Sequence, residues 1–265
     1  VPENRANTEA ATTSIITIKR QQPGLFGLLH SACYILEVIL KILVACEYSG
    51  VVRRAFEAEG HDVISCDLLP AEDDSPYHYP GPVEDMLKEG GKWDLMIAHP
   101  PCTYLCSSGL HWNGRVPGRA EKTEEALKFV QMLMDADIPK IAIENPMGRI
   151  GTAIRKADQV LQPWHYGHCE SKATCLWLKG LPLLKPSKIV PPAFYGCKCG
   201  HKFDIALGVY GCPNCEGDYG AAKPRYENQT ASGQNKLAPS KDRWKDRSRT
   251  YEGIAAAMAQ QWGRI

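Results

Sequence analysis

The stretch KILVACEYSGVVRRAFEAEGHDVISCD, residues 41–67, decides the fold. KILVAC reads as a buried strand, VVRRAFEAEG as a helix closed by Gly60, and HDVISCD as a second strand ending in Asp67. Strand, helix, strand is the repeating unit of a parallel sheet. The rhythm continues outward, with VEDMLKEG at 83–90 as a short helical stretch and WDLMIA at 93–98 as a strand. RAEKTEEALKFVQMLMD at 119–135 is an amphipathic helix, KIAIE at 140–144 and ATCLWL at 173–178 are strands, and TYEGIAAAMAQQW at 250–262 is a closing helix. The expectation is an α/β chain with a Rossmann-like doubly wound, mostly parallel sheet. Residues 41–190 form its core, and residues 246–265 return to it.

In such a sheet, ligands bind outside the carboxyl ends of the strands. The chain places its special residues there: EYSG after the first strand, Asp67 after the second, HPPC at 99–102 after WDLMIA, and ENP at 144–146 after KIAI. Gly50 lets backbone approach a ligand. Asp67 stands where a carboxylate accepts hydrogen bonds from ribose hydroxyls, which suits a nucleoside-bearing cofactor. Neither GxGxxG nor GxxxxGK[ST] is present, so the pattern supports neither a dinucleotide enzyme nor a P-loop nucleotidase. Two prolines stop a hydrogen-bonded ladder and stiffen the chain beyond it, so Cys102 sits on a rigid corner. Glu144 comes from a neighbouring strand end. A thiolate can add to an electron-poor ring carbon while a carboxyl beside it protonates or hydrogen-bonds the ring.

Pro-Pro-Cys at 100–102, Glu-Asn-Pro at 144–146, the Tyr-Ser-Gly turn at 48–50 and Asp67 together resemble the cytosine-5 DNA methyltransferases, most of all their compact phage and prophage members. The resemblance covers residues 41–178 and the final helix. It implies Cys102 as nucleophile toward carbon 6 of a flipped cytosine, Glu144 as the acid at ring nitrogen 3, and S-adenosylmethionine as methyl donor. It also implies Tyr48, Ser49, Gly50, Asp67, Asp85 and Pro101 at the cofactor. A flipped base is what the chemistry requires, since a thiol cannot reach a ring inside the stack. Three departures stand out. Gly50 is followed by Val-Val-Arg, Cys102 by Thr103, and ESKATCLWL replaces a Gln-x-Arg-x-Arg strand, leaving Lys172 as the positive charge for catalysis. The alternatives are a methyltransferase acting on an exocyclic amine, which needs no cysteine, and a catalytically idle nucleic-acid-binding module.

Cys197-x-Cys199 and Cys212-x-x-Cys215 are separated by twelve residues, the spacing of two zinc-ribbon knuckles. Four protein ligands imply structural zinc, with His201 in reserve. Net charge is +1 over 265 residues, yet residues 223–249 carry eight Lys or Arg against three acidic residues. Residues 191–245, ribbon plus basic loop, are therefore expected to recognise double-stranded DNA through its phosphates. Eleven cysteines without a compact disulfide pattern fit a reducing cytoplasm, in a bacterial host. Residues 1–40 are expected to be a dispensable extension. The apolar run at 25–46 is broken by His30, Glu37 and Lys41, and its last residues serve better as the first strand than as a membrane span or a lipoprotein box. A monomer without membrane attachment is expected.

Overall fold

The computed structural model describes residues 16–18, 36–88, 93–197, 199–203, 214 and 223–265. Strand β1 (Ile16–Ile18) pairs antiparallel with β2 (Leu36–Val38). The rest of the 1–40 extension lies outside the described residues, apart from Ile39 and Leu40. No helix among the described residues is long and apolar enough to cross a membrane.

The core is a seven-stranded sheet built from β3 (Lys41–Ala45), β4 (Asp62–Asp67), β5 (His78–Pro80), β6 (Leu95–Ala98), β7 (Lys140–Pro146), β8 (Gln159–Leu161) and β9 (Thr174–Lys179). Its order is β5-β4-β3-β6-β7-β9-β8. Pairs from β5 through β7 are parallel, whereas β9 runs antiparallel to both β7 and β8. The doubly wound, mostly parallel α/β fold expected from the sequence is the one observed. β9 turns back because only a 3₁₀ turn (Pro163–His165) and loop join it to β8, with no crossover helix.

Strand periodicity explains why both faces are covered. Ile42 and Val44 of β3 point to one side, where α1 (Val51–Ala58) and α7 (Glu252–Trp262) pack; Leu43 and Ala45 point to the other, beneath α4 (Arg119–Met134). α1 buries Val51, Val52 and Phe56, which together stabilise the fold by roughly 5–8 kcal/mol. α4 buries Thr123, Leu127, Val130 and Leu133, spaced three and four apart as one helical face requires. α7 lays its alanines against α1, and Trp262 donates its indole N–H to the Pro182 carbonyl at 3.0 Å. Three shorter helices, α2 (Val83–Lys88), α3 (Ser107–Leu110) and α5 (Ile150–Ala153), lie in the connections.

Between β9 and α7 a small antiparallel sheet forms in the order β11-β10-β12, from β10 (Phe194–Gly196), β11 (Lys202–Phe203) and β12 (Lys223–Arg225). Cys197 and Cys199 sit in the tight turn between β10 and β11, where Gly200 adopts φ 90° and donates its N–H to the Cys197 carbonyl. Cys212 and Cys215 lie outside the described residues. Among the described residues no group of three or more His, Cys, Asp or Glu is placed to hold a metal. Part of the basic loop is a helix, α6 (Arg243–Ser248).

Candidate active site

The turn after β3 is built tightly. Cys46 takes a left-handed φ of 58°, uncommon for a residue with a side chain, and Gly50 takes 65°. Between them Glu47 is buried, and its carboxylate accepts the N–H groups of Val52 at 2.7 Å and Arg53 at 3.2 Å. Glu47 therefore caps the amino end of α1, where a negative charge meets unpaired donors and the positive end of the helix dipole. Tyr48 and Ser49 are buried beside it.

Asp67 ends β4, half-buried, and accepts the Leu69 N–H at 2.9 Å. Burial pushes its carboxyl up, against the opposing pull of that N–H and of His78. Asp85 is engaged elsewhere: it accepts the Tyr79 hydroxyl at 3.1 Å and the Lys88 ammonium at 3.0 Å.

The centre lies between the ends of β6 and β7. Asn145 is buried and donates to the Pro100 carbonyl at 2.7 Å, so the Glu-Asn-Pro strand end holds the Pro-Pro-Cys corner directly. Farther along, Arg149 donates its N–H to the Leu105 carbonyl at 2.7 Å, and a Cβ on Gly148 would fall 1.9 Å from that same oxygen. Only glycine fits there. Pro101 is exposed and Cys102 half-buried. We expect Asn145→Ala to strand the Pro100 carbonyl, cost about 1–3 kcal/mol and slow any chemistry at Cys102 more than it weakens cofactor binding. Thermal unfolding and binding measured on the same preparation check this.

Glu144 projects from β7 into a nearly closed space. Its Oε2 lies 3.2 Å from Nδ1 of His99 and 3.4 Å from the Thr250 hydroxyl. Burial alone would raise the Glu144 carboxyl, but His99, Lys172 and Thr250 outweigh it and hold it below the usual range. His99 answers in kind: burial would lower it, yet the Glu144 contact and the charge of Glu47 lift it above the ordinary value. Each thus favours the charged form of the other, so protonation of His99 makes the contact an imidazolium–carboxylate pair.

Lys172 precedes β9 and donates to the carbonyls of Arg247 at 2.7 Å and Arg249 at 3.3 Å. Burial lowers its ammonium, as does Arg247, while Glu144 and Cys102 counter them. Lys172 thereby ties the basic segment to the sheet edge, and its charge reaches both Glu144 and Cys102. Burial pushes the Cys102 thiol up, Cys106 adds to this, and Arg247 and Lys172 offset it only in part.

The segment that carries α6 crosses the strand ends. The Trp244 ring tilts against Tyr48 at 5.9 Å, Ser248 lies 3.4 Å from the Tyr48 hydroxyl, and Arg249 pairs with Glu72 at 2.6 Å. Beneath it is a small hollow lined by Cys46, Glu47, Tyr48, Ser49, His99 and residues 248–250. Of the six residues expected at the cofactor, Tyr48 and Ser49 line it; Gly50, Asp67, Asp85 and Pro101 do not. A larger cavity of about 700 Å³ lies off this edge, between α4, β7 and β9, and lacks these groups. Sequence reasoning placed Glu47 and His99 at the strand ends but gave no role to them or to Thr250. The signal for His99 was present, a polar residue between a fully apolar strand and two prolines.

No protein-family model matches the chain, and no curated protein matches it. Among solved structures the chain is similar to the methyltransferase EhMeth of Entamoeba histolytica, at 14% identity over 58% of each chain with a TM-score of 0.40. It is also similar to WbdD, a bifunctional kinase-methyltransferase, in two structures at 11% identity, each over 60% of this chain with a TM-score of 0.32. The chain spans 40% and 39% of those two WbdD chains, and under two thirds of all three. The fold assignment rests on the strand order itself.

Proposed function

We propose that the chain is a DNA (cytosine-5)-methyltransferase. The observation that carries the reading is the joint between β6 and β7: the Pro-Pro-Cys corner and the Glu-Asn-Pro strand end, linked by the Asn145–Pro100 hydrogen bond, with the field of Lys172 reaching both. In the family that these motifs resemble, the cysteine sulfur bonds to carbon 6 of cytosine and the ring electrons move toward carbon 5 and nitrogen 3. Here Glu144 and His99 together hold the proton that ring nitrogen 3 would take. Carbon 5 then gains the methyl, loses its proton to a base, and the carbon–sulfur bond breaks to release Cys102.

S-adenosylmethionine would supply an electrophilic methyl on a sulfonium. The residues present fit one end of such a group: the tight Cys46–Gly50 turn stands at the sheet's carboxyl edge, and a buried His99 Nε2 has no hydrogen-bond partner at the hollow. The hollow's volume of about 40 Å³ takes the amino-acid end alone, while Asp67 one strand away would meet the ribose outside it. The exocyclic-amine alternative gives Cys102 and Glu144 no task, and nothing in the geometry favours it.

Double-stranded DNA remains the proposed partner. Trp244 packs on Tyr48, Arg249 pairs with Glu72 and the charge of Arg247 reaches Cys102, so the basic segment borders the strand ends, where the proposal has its cations meet phosphates. Structural zinc belongs to the same proposal. The β10–β11 turn holds Cys197 and Cys199, and Asn214, from within the second cysteine pair, reaches 3.9 Å from the Cys199 sulfur. One zinc per chain is expected, lost on replacing Cys212; a folded wild type free of metal would remove the zinc from the proposal.

A duplex with 5-fluorocytosine at the target site tests the enzyme reading. Fluorine at carbon 5 cannot leave as a proton does, so the Cys102–carbon 6 bond should persist as a protein–DNA adduct that survives denaturation, and only when S-adenosylmethionine is present. An enzyme that methylates DNA without ever forming that adduct would contradict the covalent route.

A further inference from the structure

The imidazole of His99 stands between two sites. Its Nδ1 contacts Glu144, on the side proposed for the target base. Its ring also lines the hollow beneath residues 248–250, and its Nε2 is buried without a hydrogen-bond partner. A buried polar nitrogen without a partner is costly, and one that borders a hollow can be satisfied by a group bound there. Arg249 and the hydroxyls of Tyr48, Ser49, Ser248 and Thr250 share the hollow with His99. But Arg249 is held by Glu72, Ser49 by Glu47, Thr250 by Glu144, and Ser248 by Tyr48 and the Lys245 carbonyl, so Nε2 is the donor left over there. The hollow's one carboxylate, Glu47, is already taken by the N–H groups of α1. An acceptor entering the hollow would meet His99 Nε2.

We propose that His99 is a bridging residue, giving Nε2–H to the carboxylate of the cofactor's amino-acid end while Nδ1–H holds Glu144. His99 thereby couples cofactor occupancy to the charge and direction of the acid. The inference rests on the reading that the chain binds S-adenosylmethionine with its carboxylate in the hollow. An anion at Nε2 stabilises the imidazolium, so cofactor binding draws a proton onto the ring. The groups facing His99 set the background for that titration. They are Glu144 on β7, Glu47 and Cys46 after β3, Asp67 at the end of β4, Lys172 before β9, and Arg249 on the covering segment.

Calorimetric titration of the whole protein with S-adenosylmethionine, in buffers of different ionisation enthalpy between pH 7 and 9, reads that proton directly and needs no catalysis. Wild type should take up a fraction of a proton. Two substitutions separate the nitrogens. His99→Asn keeps a donor near the Nδ1 position and loses Nε2, so cofactor binding should weaken about tenfold or more, the loss expected for a hydrogen bond to a charged group. His99→Gln keeps a donor near Nε2, so binding should fall less while methyl transfer falls more. Neither side chain titrates, so the uptake should vanish in both. Should one variant fail to fold, the wild-type uptake and the other variant still decide. Tight binding by wild type with no proton uptake, or His99→Asn binding as wild type does with the uptake intact, overturns the bridge and leaves the methyltransferase reading standing. Failure of wild type to bind S-adenosylmethionine removes both.

Discussion

Cys102→Ser should bind S-adenosylmethionine within about twofold of wild type and lose methyl transfer by on the order of 10⁴-fold or more, as enzymes do when a nucleophile is removed. The separation comes from the geometry. Cys102 sits on the corner after β6 and does not line the hollow beneath residues 248–250, so in the proposed mechanism its sulfur is spared from holding the cofactor. The same thiol predicts a pH profile. Burial raises Cys102 above the ordinary thiol range, and only the thiolate is nucleophilic. Wild-type transfer at saturating substrate should therefore keep rising through pH 8 and 9. A profile already flat at pH 7 would mean that another group takes the proton before the sulfur attacks.

Glu144→Gln carries the second large effect, and it acts on both activity and stability. Glutamine cannot carry the proton that ring nitrogen 3 needs, so transfer should fall by about 10²–10⁴-fold. The stability effect depends on pH through both partners. Glu144 is held below its ordinary value of 4.5, so its contribution is present above that pH and is lost as the carboxylate protonates in acid. His99 is raised above 6.5, so its contribution is complete below that pH and is lost as the pH climbs past the raised value. The pair is thus worth most between pH 4.5 and 6.5. There Glu144→Gln leaves a buried imidazolium uncompensated and should cost about 3 kcal/mol. The deficit should shrink on either side of that window. Denaturant unfolding of both proteins at pH 3.5, 5.5 and 8.5 measures it, and a deficit independent of pH would sink the ion pair.

The major sheet was legible because its strands and helices are periodic. KILVA and LMIA are apolar almost throughout, as strands covered on both faces must be, and the turns between them carry the glycines and prolines that end each element. β5 and β8 were not legible. Each is three residues long at a sheet edge, too short to show a period, and β5 lies inside a Pro-rich loop. α6 hid within a run of charges because nothing in DRWKDRS alternates apolar and polar.

The site divided in the same way. The placement of Cys102 and Glu144 at neighbouring strand ends could be read from the residues around them, since prolines and the Asn-Pro turn announce a fixed direction. His99, Glu47 and Thr250 matter through partners 45, 5 and 106 positions away, which no local pattern records. Lys172 was expected to present a charge to substrate. Its ammonium donates to two backbone carbonyls of the covering segment, and its field reaches Glu144 and Cys102, long-range contacts that no local pattern announces.

The most direct test is methyl transfer from labelled S-adenosylmethionine to mixed-sequence duplex DNA, with digestion and nucleoside analysis of the product. Label is expected in 5-methylcytosine, and none with Cys102→Ser. Label in a methylated exocyclic amine, or in 5-methylcytosine that persists without Cys102, would contradict the cytosine-5 mechanism.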